Sequence, residues 1–133
     1  MAVSSGSQDT RKPRRMGPEA RLHLAVCGFL DVALPTGAAY YHAPAEGRRD
    51  PKSGAFLKRM GAKPGWPDLT VIHNGRVYGI ELKSDRGLLT DSQSEMQALW
   101  RRCGADYAVA RSVPEVAYLL LKWGLQLKAK VTT

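Results

Sequence analysis

Residues 67–83 have the sequence PDLTVIHNGRVYGIELK, and this stretch decides the fold. Two strand-like runs flank the dipeptide Asn74-Gly75, which is typical of a two-residue type I′ β-hairpin. With these two residues as the loop, His73 lies opposite Arg76, and each step away from the turn pairs one further residue on either strand. The register of the hairpin can therefore be predicted residue by residue.

The predicted register places Asp68 opposite Glu81. Directly opposed residues have Cβ atoms about 5 Å apart, and two like charges at that distance destabilise a sheet unless a cation lies between them. Lys83 lies two residues beyond Glu81, so strand alternation returns it to the same face, while Ile80 and Leu82 point into the core. One face is therefore expected to carry Asp, Glu and Lys together.

Two carboxylates without His or Cys suit Mg²⁺ or Mn²⁺, which bind phosphate oxygens and lower the pKa of a coordinated water. Lys83 would position that water or stabilise a charged transition state. The alternative is a surface salt-bridge ladder in which Lys83 only offsets the two acids. Strand alternation alone leaves both interpretations open.

Helical and strand-like patterns alternate on both sides of the hairpin. Capping boxes at Thr90–Gln93 and Ser112–Glu115 mark the starts of two helices, and Gly104 ends the first of them. Antiparallel pairing in the hairpin, followed by a helical crossover to a later strand, predicts a mixed sheet flanked by helices in a single α/β domain. The predicted elements are, in chain order, a helix over 18–31, a strand over 38–42, a helix over 53–60, strands over 68–73 and 76–83, a helix after Thr90, a strand over 106–110 and a helix after Ser112.

The composition favours a polyanionic partner. The chain has 133 residues, with 20 Lys and Arg against 12 Asp and Glu and a formal net charge of +8. This length fits one domain, and the basic residues recur in several places rather than in one tail. Positive charge alone does not identify an activity, because many small basic proteins are simply soluble and cationic.

Cys27 and Cys103 lack CxxC spacing, which argues against a zinc cluster or a disulfide framework. Both lie in apolar helical patterns, so we predict buried, reduced thiols. No apolar run approaches the roughly 20 residues needed to cross a bilayer, and the N-terminus has no apolar signal region. We therefore expect a soluble, unsecreted protein in the cytoplasm, without a membrane partner.

Three segments surround the hairpin turn: Gly65-Trp66-Pro67-Asp68-Leu69, Gly79-Ile80-Glu81-Leu82-Lys83, and Gly87-Leu88-Leu89-Thr90 with Gln93. Together with Lys58-Arg59-Met60-Gly61 upstream, they resemble the VRR-NUC branch of the PD-(D/E)XK nuclease superfamily. The resemblance extends from about Glu19 to the last helix and implies a restriction-endonuclease-like domain over residues 17–124. Outside it we predict a disordered basic arm over 1–16 and a basic tail over 125–133.

The resemblance also implies a complete nuclease site. By it, Asp68, Glu81 and the backbone carbonyl of Leu82 bind a catalytic Mg²⁺ or Mn²⁺, and Lys83 assists the water that attacks the phosphodiester in line with the leaving group. Gln93 matches the catalytic glutamine that the family places on the helix after the Glu-x-Lys strand. It is also the third helical residue of a capping box, and one residue can serve both purposes.

Two further positions match the family less directly. Glu19 corresponds to the acidic metal ligand of the family's first helix and shares a helical stripe with Leu22 and Val26, which would aim it inward. The alternative is an ordinary acid in a helix's first turn. His42 stands where family members carry a histidine, but residues 43–47 depart from the family's Asn- and Gly-rich stretch, so we assign it no direct role.

Basic residues precede the signature strand and would clamp phosphates on either side of the scissile bond. Trp66, beside Pro67, is expected to pack against the sheet rather than to stack on a base, because packing is the commoner fate of tryptophan. The candidate DNA-binding residues are Arg48, Arg49, Lys58, Arg59 and Lys63.

The resulting expectation is a Mg²⁺- or Mn²⁺-dependent DNA endonuclease that is selective for branched or junction DNA, since no separate sequence-reading domain is recognisable. A homodimer is expected because cutting two strands symmetrically requires two active sites, and this chain has one. Two alternatives are a non-catalytic nucleic-acid-binding module of the same fold and a metal enzyme acting on a small phosphorylated metabolite. The intact acids and Lys83 argue against the first, and the spread of positive charge argues against the second.

Overall fold

A computed structural model describes residues 16–43 and 51–129 of the chain. Helices and strands follow one another in the predicted order, and α2 begins two residues earlier than expected. The elements are α1 (Pro18–Ala33), β1 (Ala38–His42), α2 (Pro51–Arg59), β2 (Leu69–His73), β3 (Arg76–Leu82), α3 (Asp91–Arg102), β4 (Asp106–Ala110) and α4 (Val113–Lys122).

The dipeptide Asn74-Gly75 forms the turn between β2 and β3. Its two residues have positive φ angles of 51° and 73°, as a type I′ turn requires. Pairing of the two strands runs from His73 opposite Arg76 to Leu69 opposite Ile80. The predicted register is therefore confirmed over all the paired residues.

The four strands form one mixed sheet in the order β1-β2-β3-β4. The first three strands are antiparallel neighbours, whereas β3 and β4 are parallel. Parallel neighbours require a crossover connection, and α3 provides it. The predicted architecture, a mixed sheet flanked by helices in a single α/β domain, is confirmed.

The main core lies between one face of the sheet and helices α1 and α4. Ile80 and Leu82 of β3 are 0% and 3% exposed and pack in the same cluster as Val26 of α1 and Leu120 of α4. This is the face to which alternation assigned Ile80 and Leu82. The acids and Lys83 are thereby left to the opposite side of the strand.

Helix α3 covers part of the other face, where Met96 and Trp100 pack with Tyr107 of β4. Gly79 lies beneath this helix. A Cβ at Gly79 would come within 2.8 Å of both Pro67 Cγ and Trp100 Cζ3. The absence of a side chain there lets Pro67 lie against β3 directly before Asp68.

Helical spacing predicts an apolar stripe of Met96, Leu99, Trp100 and Cys103 on α3, and the observed buried stripe is narrower. Leu99 is 42% exposed, because it is turned about 100° around the helix from the buried Trp100. Cys103 is also exposed, because it is the C-cap residue where the chain leaves the helix. Cys27 is only partly buried. The prediction of two buried thiols is therefore wrong.

Packing continues past the end of α4. Leu125 is 2% exposed in the main core, and the Lys128 N–H donates to the Ala33 carbonyl at 2.7 Å. An apolar side chain beyond residue 124, the predicted end of the domain, thus fills the core, and the boundary itself stays a prediction. The remainder of the predicted tail, 130–133, and residues 1–15 of the predicted arm lie outside the described residues.

Candidate active site

Asp68 and Glu81 lie side by side immediately beyond the last pair of the β2–β3 ladder. The Asp68 N–H donates to Glu81 Oε1 at 3.2 Å, and the Leu82 N–H donates to Asp68 Oδ2 at 2.8 Å. Each acid is therefore fixed by a backbone N–H of the opposite strand segment. The juxtaposition expected from the hairpin register is present in the structure.

The backbone of β3 directs the Leu82 carbonyl towards Asp68. The Lys83 N–H donates to the Ala110 carbonyl of β4 at 3.1 Å, whereas the Leu82 N–H points the other way, to Asp68. In an extended strand the N–H and C=O groups of one residue point to the same side. The Leu82 carbonyl therefore also faces the Asp68 side.

Glu81 is the most buried acid of the site, with 3% of its surface exposed. Its Oε2 accepts a hydrogen bond from Gln93 Nε2 at 2.7 Å and lies 3.8 Å from Lys83 Nζ. Burial, and then the neighbouring charge of Asp68, raise the pKa of Glu81 to about 8, although Lys83 opposes the shift. The two carboxylates thus repel each other in a position that favours a cation.

Gln93 both completes the capping box of α3 and contacts Glu81. Its side-chain Oε1 accepts from the Thr90 N–H at 2.9 Å, and its own N–H donates to Thr90 Oγ1 at 3.2 Å, which completes the capping box. The remaining side-chain group, Nε2, donates to Glu81. The helix start therefore holds the Gln93 amide against the carboxylate.

A cavity of about 810 Å³ opens beside the two acids. Glu19 and Lys83 approach each other at Gly87, where a Cβ would lie 3.5 Å from Glu19 Oε1 and 3.3 Å from Lys83 Cδ. The structure thus brings the six predicted catalytic and metal-binding residues to one wall. These residues are Glu19, Asp68, Glu81, Leu82, Lys83 and Gln93.

A pair of histidines, His23 of α1 and His42 of β1, forms another part of this wall. Their rings meet edge to face with centroids 4.2 Å apart, and His42 Nδ1 lies 3.0 Å from the Asp68 carbonyl oxygen. Burial, followed by the proximity of His42, lowers the pKa of His23 below its ordinary value. The His23 ring is therefore neutral at pH 7.

Comparison with solved structures identifies the fold. A protein named "VRR_NUC domain protein" aligns with a TM-score of 0.61 and 20% identity, over 84% of this chain and 91% of its own. A second, named "VRR_NUC domain", aligns with a TM-score of 0.54 and 22% identity, over 81% of this chain and 99% of its own. The chain has the fold of a VRR-NUC domain. No family model and no curated protein match the sequence.

Within this VRR-NUC fold, Arg111 organises the segment that follows Lys83. Its Nη1 donates to the carbonyls of Ser84 and Gly87 at 2.7 and 2.6 Å. Arg111 stands directly after β4, so the guanidinium ties the loop after β3 to the neighbouring strand. Sequence analysis did not single out this residue, because nothing local marks an arginine that binds carbonyls 24 and 27 positions away.

Tyr107 supports the segment that leads into Asp68, and it too was not singled out from the sequence. Its buried hydroxyl donates to the Gly65 carbonyl at 3.0 Å. Gly65 has φ +80°, and a Cβ there would overlap the Ser92 carbonyl and lie 2.9 Å from the Gln93 nitrogen. The entry to β2 and the first turn of α3 are thus in direct backbone contact.

Trp66 only partly fulfils the predicted packing role. Its ring meets the edge of Trp100 with centroids 5.0 Å apart, as predicted for a packing residue, yet 44% of its surface is exposed. One side of Trp66 therefore packs while the other faces solvent.

The predicted DNA-binding residues that the structure describes do not line the cavity. Lys58 and Arg59 stand exposed in the last turn of α2, and Lys63 is exposed in the segment before β2. Arg48 and Arg49 lie outside the described residues. Among the residues that the structure describes, Lys83 is the only lysine or arginine that lines the cavity.

The raised pKa of Glu81 predicts how stability depends on pH. Between the ordinary value of 4.5 and about 8, folded Glu81 retains a proton that the unfolded chain has released. The contribution of this group to stability is therefore complete below pH 4.5 and is lost as pH rises to 8. We expect the Tm of the metal-free protein to fall over this interval and Mg²⁺ to restore it, as thermal denaturation would measure.

The control for this prediction is Glu95→Gln, which removes an exposed acid of α3. It should leave the pH dependence of Tm unchanged, whereas Asp68→Asn should weaken it by removing a charge that acts on Glu81. A wild-type Tm that is insensitive to both pH and Mg²⁺ would contradict the electrostatic account of the site.

Proposed function

We propose that this protein is a metal-dependent nuclease that hydrolyses DNA phosphodiester bonds. The observation that carries the proposal is the contact between Asp68 and Glu81 at the end of the hairpin, with Lys83 and Gln93 both placed on Glu81. The VRR-NUC fold supports it. The resemblance of these residues to the family's nuclease signature supports it as well.

The donor groups fit Mg²⁺ or Mn²⁺. Among residues 16–43 and 51–129 no three His, Cys, Asp or Glu side chains form a ready metal cluster. The proposed protein ligands are instead two carboxylates and the Leu82 carbonyl, a hard oxygen set of the kind that Mg²⁺ completes with water. Glu19, on the same wall, would act through such a water. When bound, the metal would supply Lewis acidity and neutralise phosphate charge.

The chain's own groups perform the remaining work. Gln93 Nε2 and the Asp68 N–H hold the two oxygens of Glu81, so this carboxylate keeps one orientation. The Lys83 ammonium, 9% exposed as a residue and 3.8 Å from Glu81, would orient the attacking water and stabilise the charge that develops during in-line displacement. Arg111 fixes the loop that follows Lys83 and so limits its movement.

The net charge of +8 and the exposed basic residues before β2 support DNA as the substrate, with Lys58, Arg59 and Lys63 as phosphate contacts. We further propose that the enzyme is selective for branched DNA and acts as a homodimer in the cytoplasm. In the part of the chain that the structure describes, no helix is long and apolar enough to cross a bilayer. Light scattering of the DNA complex tests the dimer, and a monomer would rule it out.

The alternative function is a nucleic-acid-binding module of the same fold without cleavage. The burial of Glu81 and Lys83 disfavours it, because a module that only binds DNA gains nothing from keeping two ionisable side chains out of water. A metal enzyme for a small phosphorylated metabolite would require little dependence of substrate binding on salt, whereas phosphate contacts along DNA make binding strongly salt-dependent.

Cleavage of labelled duplex, flap and junction DNA with Mg²⁺, Mn²⁺ or EDTA tests the proposal. We expect metal-dependent cutting that Lys83→Ala lowers by about a hundredfold, because a positioned charge at the transition state is lost. Lys122→Ala, at the exposed end of α4, is the matched control and should cut normally. DNA binding without cutting under every condition would establish the binding module instead.

A further inference from the structure

We propose that the cavity beside the acids is a binding site for a single unpaired nucleotide, with the phosphate at Lys83 and the base against α1 and β1. The inference rests on the proposed nuclease function and specifies its substrate. It explains selectivity for DNA structure by a site within this one domain.

The size of the cavity supports a ligand larger than a phosphate. Its volume is about 810 Å³, within the range of roughly 300–1,000 Å³ that is usual for sites that bind small molecules. Asp68, Glu81, Lys83 and Gln93 occupy one end of the wall. The rest of the lining comes mainly from α1 and β1.

The lining residues other than the acids, Lys83 and Gln93 suit a base and a sugar. Helix α1 contributes Ala20, Leu24 and Cys27, and β1 contributes the Tyr40 ring. The Tyr40 hydroxyl donates its proton to Asp31 Oδ1 at 2.6 Å. A ligand would therefore contact the Tyr40 ring rather than accept a hydrogen bond from its hydroxyl. Among the described residues, Lys83 is the only lysine or arginine that lines the cavity, so the phosphate is expected to bind beside it and the acids.

The two histidines of the lining provide aromatic surfaces next to Asp68. A carbonyl oxygen can only accept a hydrogen bond, so His42 Nδ1 carries the hydrogen that is shared with Asp68. This bond holds the His42 ring next to the acid, where its face and edge are available to a base. Any of the nucleobases can stack favourably on an aromatic side chain.

A base in a duplex is stacked and paired, and it must leave the helix before it can enter such a cavity. Extraction costs least where the nucleotide is already unpaired. The geometry therefore favours flaps, gaps and junction branch points over plain duplex.

The test uses flap DNA in which an abasic residue replaces, in turn, each nucleotide that flanks the cleavage site. We expect one abasic position to lower kcat/KM of the wild type about tenfold, because base contacts are lost. Ala20→Leu, which fills the cavity from the exposed surface of α1, should remove this discrimination. Ala25→Leu is the matched control on the same helix, outside the cavity wall, and should retain it.

Leu24→Ser provides a second variant at an exposed position, and it should also reduce the discrimination. Binding is measured independently with 2-aminopurine at the same nucleotide and Ca²⁺ in place of Mg²⁺. We expect its fluorescence to change on binding to the wild type and Ala25→Leu but not to Ala20→Leu.

Equal kcat/KM values for the intact and abasic substrates would overturn the nucleotide site and leave the nuclease proposal intact. Discrimination that survives in both Ala20→Leu and Leu24→Ser would also overturn it. If the wild type cuts no DNA at all, the nuclease proposal fails, and the 2-aminopurine signal alone then decides whether the cavity binds a base.

Discussion

Replacing Asp68 with Asn should lower the rate of DNA cleavage by about a thousandfold, the effect expected when several kcal/mol of metal-dependent transition-state stabilisation are lost. The same variant should stabilise the metal-free protein by about 1 kcal/mol at pH 8, because it removes one of two adjacent like charges. Cleavage assays should therefore show a lower rate, and thermal denaturation should show a higher stability.

The prediction depends on the hydrogen bonds of the carboxylate. Asp68 Oδ2 accepts from the Leu82 N–H, and an Asn side-chain oxygen can accept the same bond. Glu81 is a poorer site for this experiment. The two Glu81 oxygens accept hydrogen bonds from the Asp68 N–H and from Gln93 Nε2. The side-chain amino group of a Gln at this position would therefore face one of these donors.

Asp106→Asn is the matched control, because it removes an exposed acid at the start of β4. It should change neither the cleavage rate nor the stability appreciably. A stable Asp68→Asn variant with normal cleavage would remove Asp68 from the active site. Loss of cleavage together with loss of folding would point to a purely structural acid.

Gly65→Ala should destabilise the protein by about 3 kcal/mol, equivalent to roughly 10 °C in Tm. The added Cβ would meet the backbone of Ser92 and Gln93 at the first turn of α3, in addition to the strain of an alanine at φ +80°. Because this turn positions Gln93 against Glu81, cleavage by the molecules that remain folded should also decrease.

Gly61→Ala isolates the contact from the backbone strain. Gly61 has φ +105°, and a Cβ there would meet no atom within 4 Å. Its cost should be about 1 kcal/mol, from the left-handed conformation alone. Chemical denaturation of both variants measures the difference, and equal destabilisation would show that the contact between Gly65 and α3 is unimportant.

The sequence predicted those parts of the site that depend on neighbouring residues. The Asn74-Gly75 turn and the two-residue period of the strands placed Asp68 beside Glu81 and Lys83 on the same face of β3, because both are properties of the local backbone. The capping box similarly located Gln93 at the start of α3. The structure confirms these positions, and the proposed roles stay predictions.

Tertiary structure decided what lies around that pair of acids. Whether the Gln93 amide reaches Glu81 depends on how α3 crosses the sheet, and the supporting bonds of Tyr107 and Arg111 join residues that are 24 to 42 positions apart. Contacts at such separations follow from packing, which no local pattern encodes. Packing also left Leu99 exposed and drew Leu125 into the core.

The hairpin thus lies at the division between what the sequence determined and what only the folded chain decided. A two-residue turn and strand alternation are enough to bring two carboxylates together, because they act over a few residues of one backbone. The cavity beside those carboxylates exists only once α1 and β1 have packed against them, since its wall combines residues from distant parts of the chain. The proposed chemistry therefore comes from local sequence, and the proposed choice of substrate comes from packing.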